Sequence, residues 1–136
     1  MFIDTSAFIA ILVNEPISRT LVDAIDRTPR RFTSPLVRLE TCMVLATRAN
    51  MSPRDAQENF DLLVEGLGIV VLDIDDRTGA LAVEAFERYG KGRGKKAGLN
   101  LADCMTYACA RLHRLRLLYV GDDFSRTDIE SALPSL

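Results

Sequence analysis

Ile69-Val70-Val71-Leu72-Asp73-Ile74 is an almost continuous apolar run, with Gly68 before it and Asp75-Asp76 after it. It reads as a strand. Because successive rather than alternate residues are apolar, it predicts burial on both faces, as in a parallel sheet. On its carboxyl side, Asp75 or Asp76 opens a helix to about residue 89. On its amino side, Ser52-Pro53 starts a helix that ends near Gly66 or Gly68, and Ser34-Pro35 starts another that runs to about Asn50: serine at the N-cap, proline in the first turn.

The same alternation extends to both ends. Met1-Phe2-Ile3 is a short apolar stub, enough for a buried first strand. The helix after it runs to about Val13, where Asn14-Glu15-Pro16 breaks it, and Thr5 or Ser6 can cap it. A helix over 17–26 carries Leu21, Val22 and Ile25 at helical spacing. Residues 31–33 form a second strand. Asn100 caps a helix from Leu101 to about Leu112, and residues 117–120 form the last strand, closed by Gly121-Asp122-Asp123. Strands alternating with helices imply right-handed crossovers and a parallel sheet covered on both faces, in a single domain over 1–136. Ligands bind such folds at the carboxyl ends of the strands.

The 136 residues are 48% hydrophobic and 26% charged, the balance of a globular protein long enough to bury a core. No apolar run approaches the roughly 20 residues of a membrane span, and no signal-peptide pattern stands at the start, so the expected compartment is the cytoplasm. Cys42, Cys104 and Cys109 form no CxxC pair and read as small buried hydrophobes. One histidine, His113, argues against His-based zinc sites and Ser-His-Asp triads and points any catalysis to carboxylates. The net charge is only −2, but Lys91, Arg93, Lys95 and Lys96 crowd one glycine-rich loop.

The candidate acids are Asp4 after the first strand, Glu40 about a turn and a half into the helix after the second, Asp103 in the first turn of a later helix, and Asp122 or Asp123 after the last strand. Singly, each has an ordinary structural explanation: a cap, a solvated helix face, a favourable charge at a helix start, a turn. Gathered in one pocket, they would repel one another and raise their pKa values unless a cation neutralised them. Oxygen ligands without histidine or cysteine suit Mg²⁺ or Mn²⁺, and such sites activate water for attack at phosphorus. The basic loop is either a solvated surface loop or a phosphate-neutralising one. It is not a GxxxxGK[ST] phosphate loop.

On "FIDTSAFIAIL" at the start, "RLETCMVL" around Glu40, "AGLNLADCMTYACA" around Asp103 and "LLYVGDDFSRTDI" near the end, the chain resembles a PIN-domain ribonuclease of the VapC toxin type. The resemblance spans essentially the whole chain. It implies a Rossmann-like three-layer α/β/α sandwich and Mg²⁺- or Mn²⁺-dependent endonucleolytic cleavage of structured RNA, such as tRNA or rRNA, leaving a 5′-phosphate and a 3′-hydroxyl. It places the family's acids at Asp4, Glu40 and Asp103, with Asp122 as the fourth and Asp123 competing for that place. Asp4 and Asp103 would be the principal metal ligands, Glu40 and Asp122 assisting directly or through water, and Ser6 supporting Asp4. Lys91, Arg93, Lys95 and Lys96 are candidate RNA contacts. Ala102 departs from the glycine expected before the aspartate. The resemblance also implies a homodimer and a cognate antitoxin, with no membrane partner. The apolar residues Phe8, Ile9, Leu12, Leu21 and Ile25, with the helix of Cys42, are either ordinary core or an antitoxin surface.

Three rivals share part of the pattern. A haloacid-dehalogenase-type phosphatase also has an aspartate after its first strand, but it needs a second acid two residues on, where Ser6 stands. An inactive PIN scaffold would be expected to have lost acids that are all present here. A housekeeping RNA-processing nuclease differs from a toxin only in context.

Overall fold

The computed structural model describes residues 1–94 and 96–133. Four two-residue strands, β1 (Phe2–Ile3), β2 (Phe32–Thr33), β3 (Val70–Val71) and β4 (Leu117–Leu118), form a parallel sheet in the order β3-β2-β1-β4. Phe2 is in register with Phe32 on one side and Leu117 on the other, and Phe32 with Val70. Around them lie α1 (Thr5–Leu12), α2 (Ser18–Asp26), α3 (Pro35–Arg48), α4 (Pro53–Gly66), α5 (Asp76–Tyr89) and α6 (Leu101–Leu112). The result is the α/β/α sandwich that the alternation predicts. None of the helices is long and apolar enough to cross a membrane, among the described residues.

The central strands carry the core. Phe2, Ile3, Leu117 and Leu118 are buried, as are Phe8 and Leu21 from the helices and Phe60 from α4, whose ring lies 4.7 Å from that of Phe8. Phe8, Leu21 and Ile25 are therefore core and not a partner surface. The N-terminal ammonium is tied down by the Arg30 carbonyl at 2.6 Å.

β3 corrects the opening expectation. It is an edge strand, and Val70 is 54% exposed while Ile69 is buried. The run over 69–74 pairs through only two residues, because β2 gives it only Phe32–Thr33 before Ser34 turns into α3. Burial on both faces belongs to β1 and β4 instead. The last strand is likewise shorter than the apolar run over 117–120.

Both serine-proline starts are as the sequence predicts. Ser34 accepts the Val37 N–H at 3.3 Å and Ser52 the Asp55 N–H at 3.0 Å, each satisfying an otherwise orphaned helix donor. Tyr89, Lys91 and Leu99 join by backbone bonds of 2.9 and 3.0 Å, so the glycine-rich loop leaves and returns at one place, delivering the chain to Asn100 and α6. The strand order has one reversal. From β1 the chain steps outward to β2 and β3, then returns to the far side of β1 as β4. A crevice opens at the carboxyl ends of the strands where such a reversal occurs.

Candidate active site

The polar residues that follow β1 and β4 meet at that crevice. Asp4 is the N-cap of α1, with an extended backbone (φ −83°, ψ 161°). Its Oδ2 accepts the Ser6 N–H at 3.0 Å and the Ser6 hydroxyl at 2.6 Å. The Ser6 oxygen in turn accepts the Val120 N–H at 3.0 Å. Ser6 thus supports Asp4, as expected, and pins the end of β4 to the end of β1. The capping role goes to Asp4 itself and not to Thr5 or Ser6, since an aspartate just before the first helical turn reaches the N–H two residues on.

Asp103 is fixed by a reciprocal cap. The Asn100 side chain accepts the Asp103 N–H at 2.9 Å, and Asp103 Oδ2 accepts the Asn100 N–H at 3.1 Å. Glu40 comes from the second turn of α3 and is half-buried. Asp4, Glu40, Asp103 and Asp123 all line one cavity of about 320 Å³, together with Ser6 and Asn100.

Of the two aspartates that compete for the fourth place, Asp123 lines it and Asp122 does not. Gly121 takes a positive φ of +94°, a conformation that glycine adopts without strain, and the chain then bends. The Asp122 carbonyl accepts both the N–H and the hydroxyl of Ser125, so Asp122 begins a turn, and Asp123 is the one facing the cavity. Of two adjacent aspartates in such a bend, only one can point inward.

The electrostatics follow from burial and crowding. Burial raises the Asp4 pKa, and the bonds from Ser6 oppose the rise. Burial raises Glu40, with the charges of Asp4 and Asp123 adding to it. Asp103 is pushed up to about 6, first by burial and then by Asp123, Asp4 and Glu40, while the Asn100 N–H opposes. Asp123 acts on both Glu40 and Asp103, whereas Asp122 acts on Tyr119. The buried Thr5 hydroxyl beside Glu40 opposes the rise there, second only to burial and ahead of the charges of Asp4 and Asp123.

The donor set is therefore all oxygen, partly buried, self-repelling and short of positive charge, which fits a hard divalent cation. Among the described residues no three acidic, histidine or cysteine side chains stand close enough to hold one ion as a trio. Mg²⁺ does not require a trio: it keeps several waters and takes one or two carboxylates.

The basic loop lies elsewhere. Lys91 borders a recess between α5 and α6, the Arg93 guanidinium sits 5.7 Å from the Phe86 ring, and the Lys96 carbonyl accepts from Arg126 at 3.1 Å. None of these three lines the acid cavity, and Lys95 lies outside the described residues. The sequence reading missed the cation that does line it, Arg48. Its signal was the four-residue spacing Glu40, Val44, Arg48, which puts all three on one face of α3.

The PIN domain profile matches residues 1–130. A VapC ribonuclease of Rhizobium meliloti is 37% identical over 139 residues, covering 94% of this chain and 98% of the relative. Ribonuclease VapC42 of Mycobacterium tuberculosis is 35% identical over 132 residues, covering 97% and 98%. The fold is shared with the crystal structure of Mycobacterium tuberculosis VapC20, described as a sarcin-ricin loop cleaving toxin, at a TM-score of 0.75 and 20% identity over 98% of both chains. It is shared too with a chain of a toxin-antitoxin complex from Klebsiella pneumoniae, at a TM-score of 0.66 and 19% identity over 93% of this chain and 92% of that one.

Proposed function

The chain belongs to the PIN-domain family, alongside the VapC ribonucleases, and from that premise we propose that it is a Mg²⁺- or Mn²⁺-dependent endoribonuclease, the toxin half of a toxin-antitoxin pair, acting on structured cellular RNA such as tRNA or rRNA. The observation that carries the reading is the single cavity lined by acids from four separate parts of the chain, Asp4, Glu40, Asp103 and Asp123, in which burial and then the charges of Asp4 and Asp123 raise the pKa values of Glu40 and Asp103.

Asp4 and Asp103 would hold the cation, with Glu40 and Asp123 close by, directly or through water. Bound there, the ion would offset the charge of the scissile phosphate and make the attacking water more acidic. The chain's own residues do the rest. Ser6 and Asn100 hold the two principal carboxylates by short bonds, so their positions are set before RNA arrives. Glu40, with a raised pKa, accepts the proton of the attacking water at its carboxylate. The water oxygen bonds to phosphorus, the bond to the 3′-oxygen breaks, and that oxygen leaves as a hydroxyl once protonated, giving a 5′-phosphate on the other fragment.

The partners in this reading are RNA, a cognate antitoxin and a second copy of the chain, all in the cytoplasm. Leu39 and Met43 on α3 and Val83, Phe86 and Leu101 around the α5–α6 recess are exposed. They supply the apolar area that protein partners cover.

The test is incubation of the purified protein with total cellular RNA and Mg²⁺ or Mn²⁺, read by gel and end-sequencing, beside EDTA and Asp4→Asn controls. Discrete cuts lost in both controls support the reading. Cutting by Asp4→Asn at the wild-type rate refutes it.

A further inference from the structure

The acid cavity is longer than the acid cluster. Beyond Asp4 and Glu40 it continues between α1 and α3, past Ile9 and Val44, to Glu15 and Arg48. Arg48 is in the last turn of α3, is exposed, and makes no ion pair with any described residue, Glu15 included. It also borders the neighbouring recess of about 450 Å³ beside Leu39 and Met43, so its guanidinium stands at the mouth of the trough. Eight residues separate it from Glu40, about 12 Å along the helix. That is too far to touch the phosphate at the acids and is within reach of a flanking one.

The geometry points to Arg48 as a positioning residue that holds a backbone phosphate flanking the scissile one, so that the RNA lies along the α1–α3 trough. This rests on the nuclease reading above. A polyanion entering a trough whose other end carries four carboxylates is repelled there until a cation binds. A single unpaired guanidinium at the far end supplies the attraction that draws the strand in and sets its direction. Arginine suits this task because its planar fork holds phosphate oxygens in pairs and keeps its charge at every working pH. The contact is to the backbone, so it positions the strand without reading sequence. Glu15 at the same end has the opposite effect and limits how tightly the strand is held.

A purely structural alternative exists: a cation in the last helical turn complements the helix dipole. The test separates the two. Cleavage of an RNA oligonucleotide spanning the site identified in the total-RNA experiment is followed at a series of KCl concentrations, for the wild type, Arg48→Ala, Arg48→Lys and Glu15→Gln, with thermal melts of each. Arg48→Ala is expected to raise KM about tenfold with kcat nearly unchanged. It is also expected to make the slope of log(kcat/KM) against log[KCl] shallower by about 0.7, the loss of one phosphate contact on a single strand. Arg48→Lys restores the slope, and Glu15→Gln lowers KM. A slope equal to the wild type's overturns the proposal, and an early melt beside it assigns Arg48 to the helix end. A wild type that cuts no RNA is a different failure: it removes the nuclease reading and this inference with it.

Discussion

Replacing Asp103 with asparagine separates the charge of the site from its shape. The asparagine keeps a side-chain carbonyl oxygen to accept the Asn100 N–H, so the reciprocal cap of α6 survives. What disappears is a negative charge whose pKa stands at about 6 rather than 3.8. Two units at 1.36 kcal/mol each give about 3 kcal/mol as the upper bound on the cost of ionising it in the folded protein. Asp103 is only partly buried, and solvent screening reduces this to roughly 1.5 kcal/mol. Removing a carboxylate from the first turn of a helix returns about 0.5 kcal/mol of destabilisation through the dipole. The net is a gain of about 1 kcal/mol at neutral pH without metal. For 136 residues, at about 2.1 cal/mol/K each, that is a rise of about 3–4 °C in Tm. The sign fixes the pH window. The folded protein holds this proton to a higher pH than the unfolded chain, so the Asp103 contribution is favourable below about pH 4 and lost as pH rises through about 6. Melts in EDTA between pH 4 and 8 should show the variant's advantage growing from about pH 4 to about 6 and constant above that. Mg²⁺ should stabilise the wild type more than the variant and narrow the gap. A variant that melts below the wild type in EDTA at pH 7.5 would refute the argument that the acids strain one another.

Three further outcomes follow from the geometry. Asp123→Asn should slow RNA cleavage at least tenfold while Asp122→Asn leaves it near the wild-type rate, since only Asp123 lines the cavity; parallel rate measurements decide this. Ser6→Ala removes the hydroxyl bond to Asp4 and the acceptor for the Val120 N–H, so it should cost about 2 kcal/mol in urea unfolding and reduce cleavage without abolishing it. Tyr107→Phe loses the hydroxyl bond to Asp128 at 2.5 Å, held there with Arg88 and Arg111 outside the acid cavity. It should lower stability by about 1–2 kcal/mol and leave cleavage unchanged.

What the sequence disclosed, and what it withheld, follows the range of the interactions involved. Ser34-Pro35, Ser52-Pro53 and Asn100 place three helix starts because a cap is a local bond between residues three apart. The alternation of strand and helix is likewise local, and the parallel sheet follows from it. The strand order is not local: the 69–74 run has the composition of an interior strand, yet Val70 lies at the edge, because among the described residues no further strand pairs with the other side of β3. Asp4 and Asp103 were legible because one follows a strand and the other opens a helix, whereas Glu40, in the second turn of α3, stood out through the resemblance of the stretch around it. Choosing between Asp122 and Asp123 needed the bend at Gly121, a matter of backbone dihedrals. Arg48 gives a fainter signal than the glycine-rich loop, where positive residues are many, because on α3 a single cation shares a face with Glu40.

The bond from Val120 to Ser6 spans 114 positions of sequence. A ribosome adding about 5–20 residues per second releases Asp4 many seconds before the residue that locks its support. During that interval the growing chain has its first acid, and later its second and third, but no assembled crevice, since β1 lacks β4 as its neighbour. If the product is harmful to the cell's own RNA, this order of events is protective: a copy stalled before Val120 lacks the bond that locks the crevice.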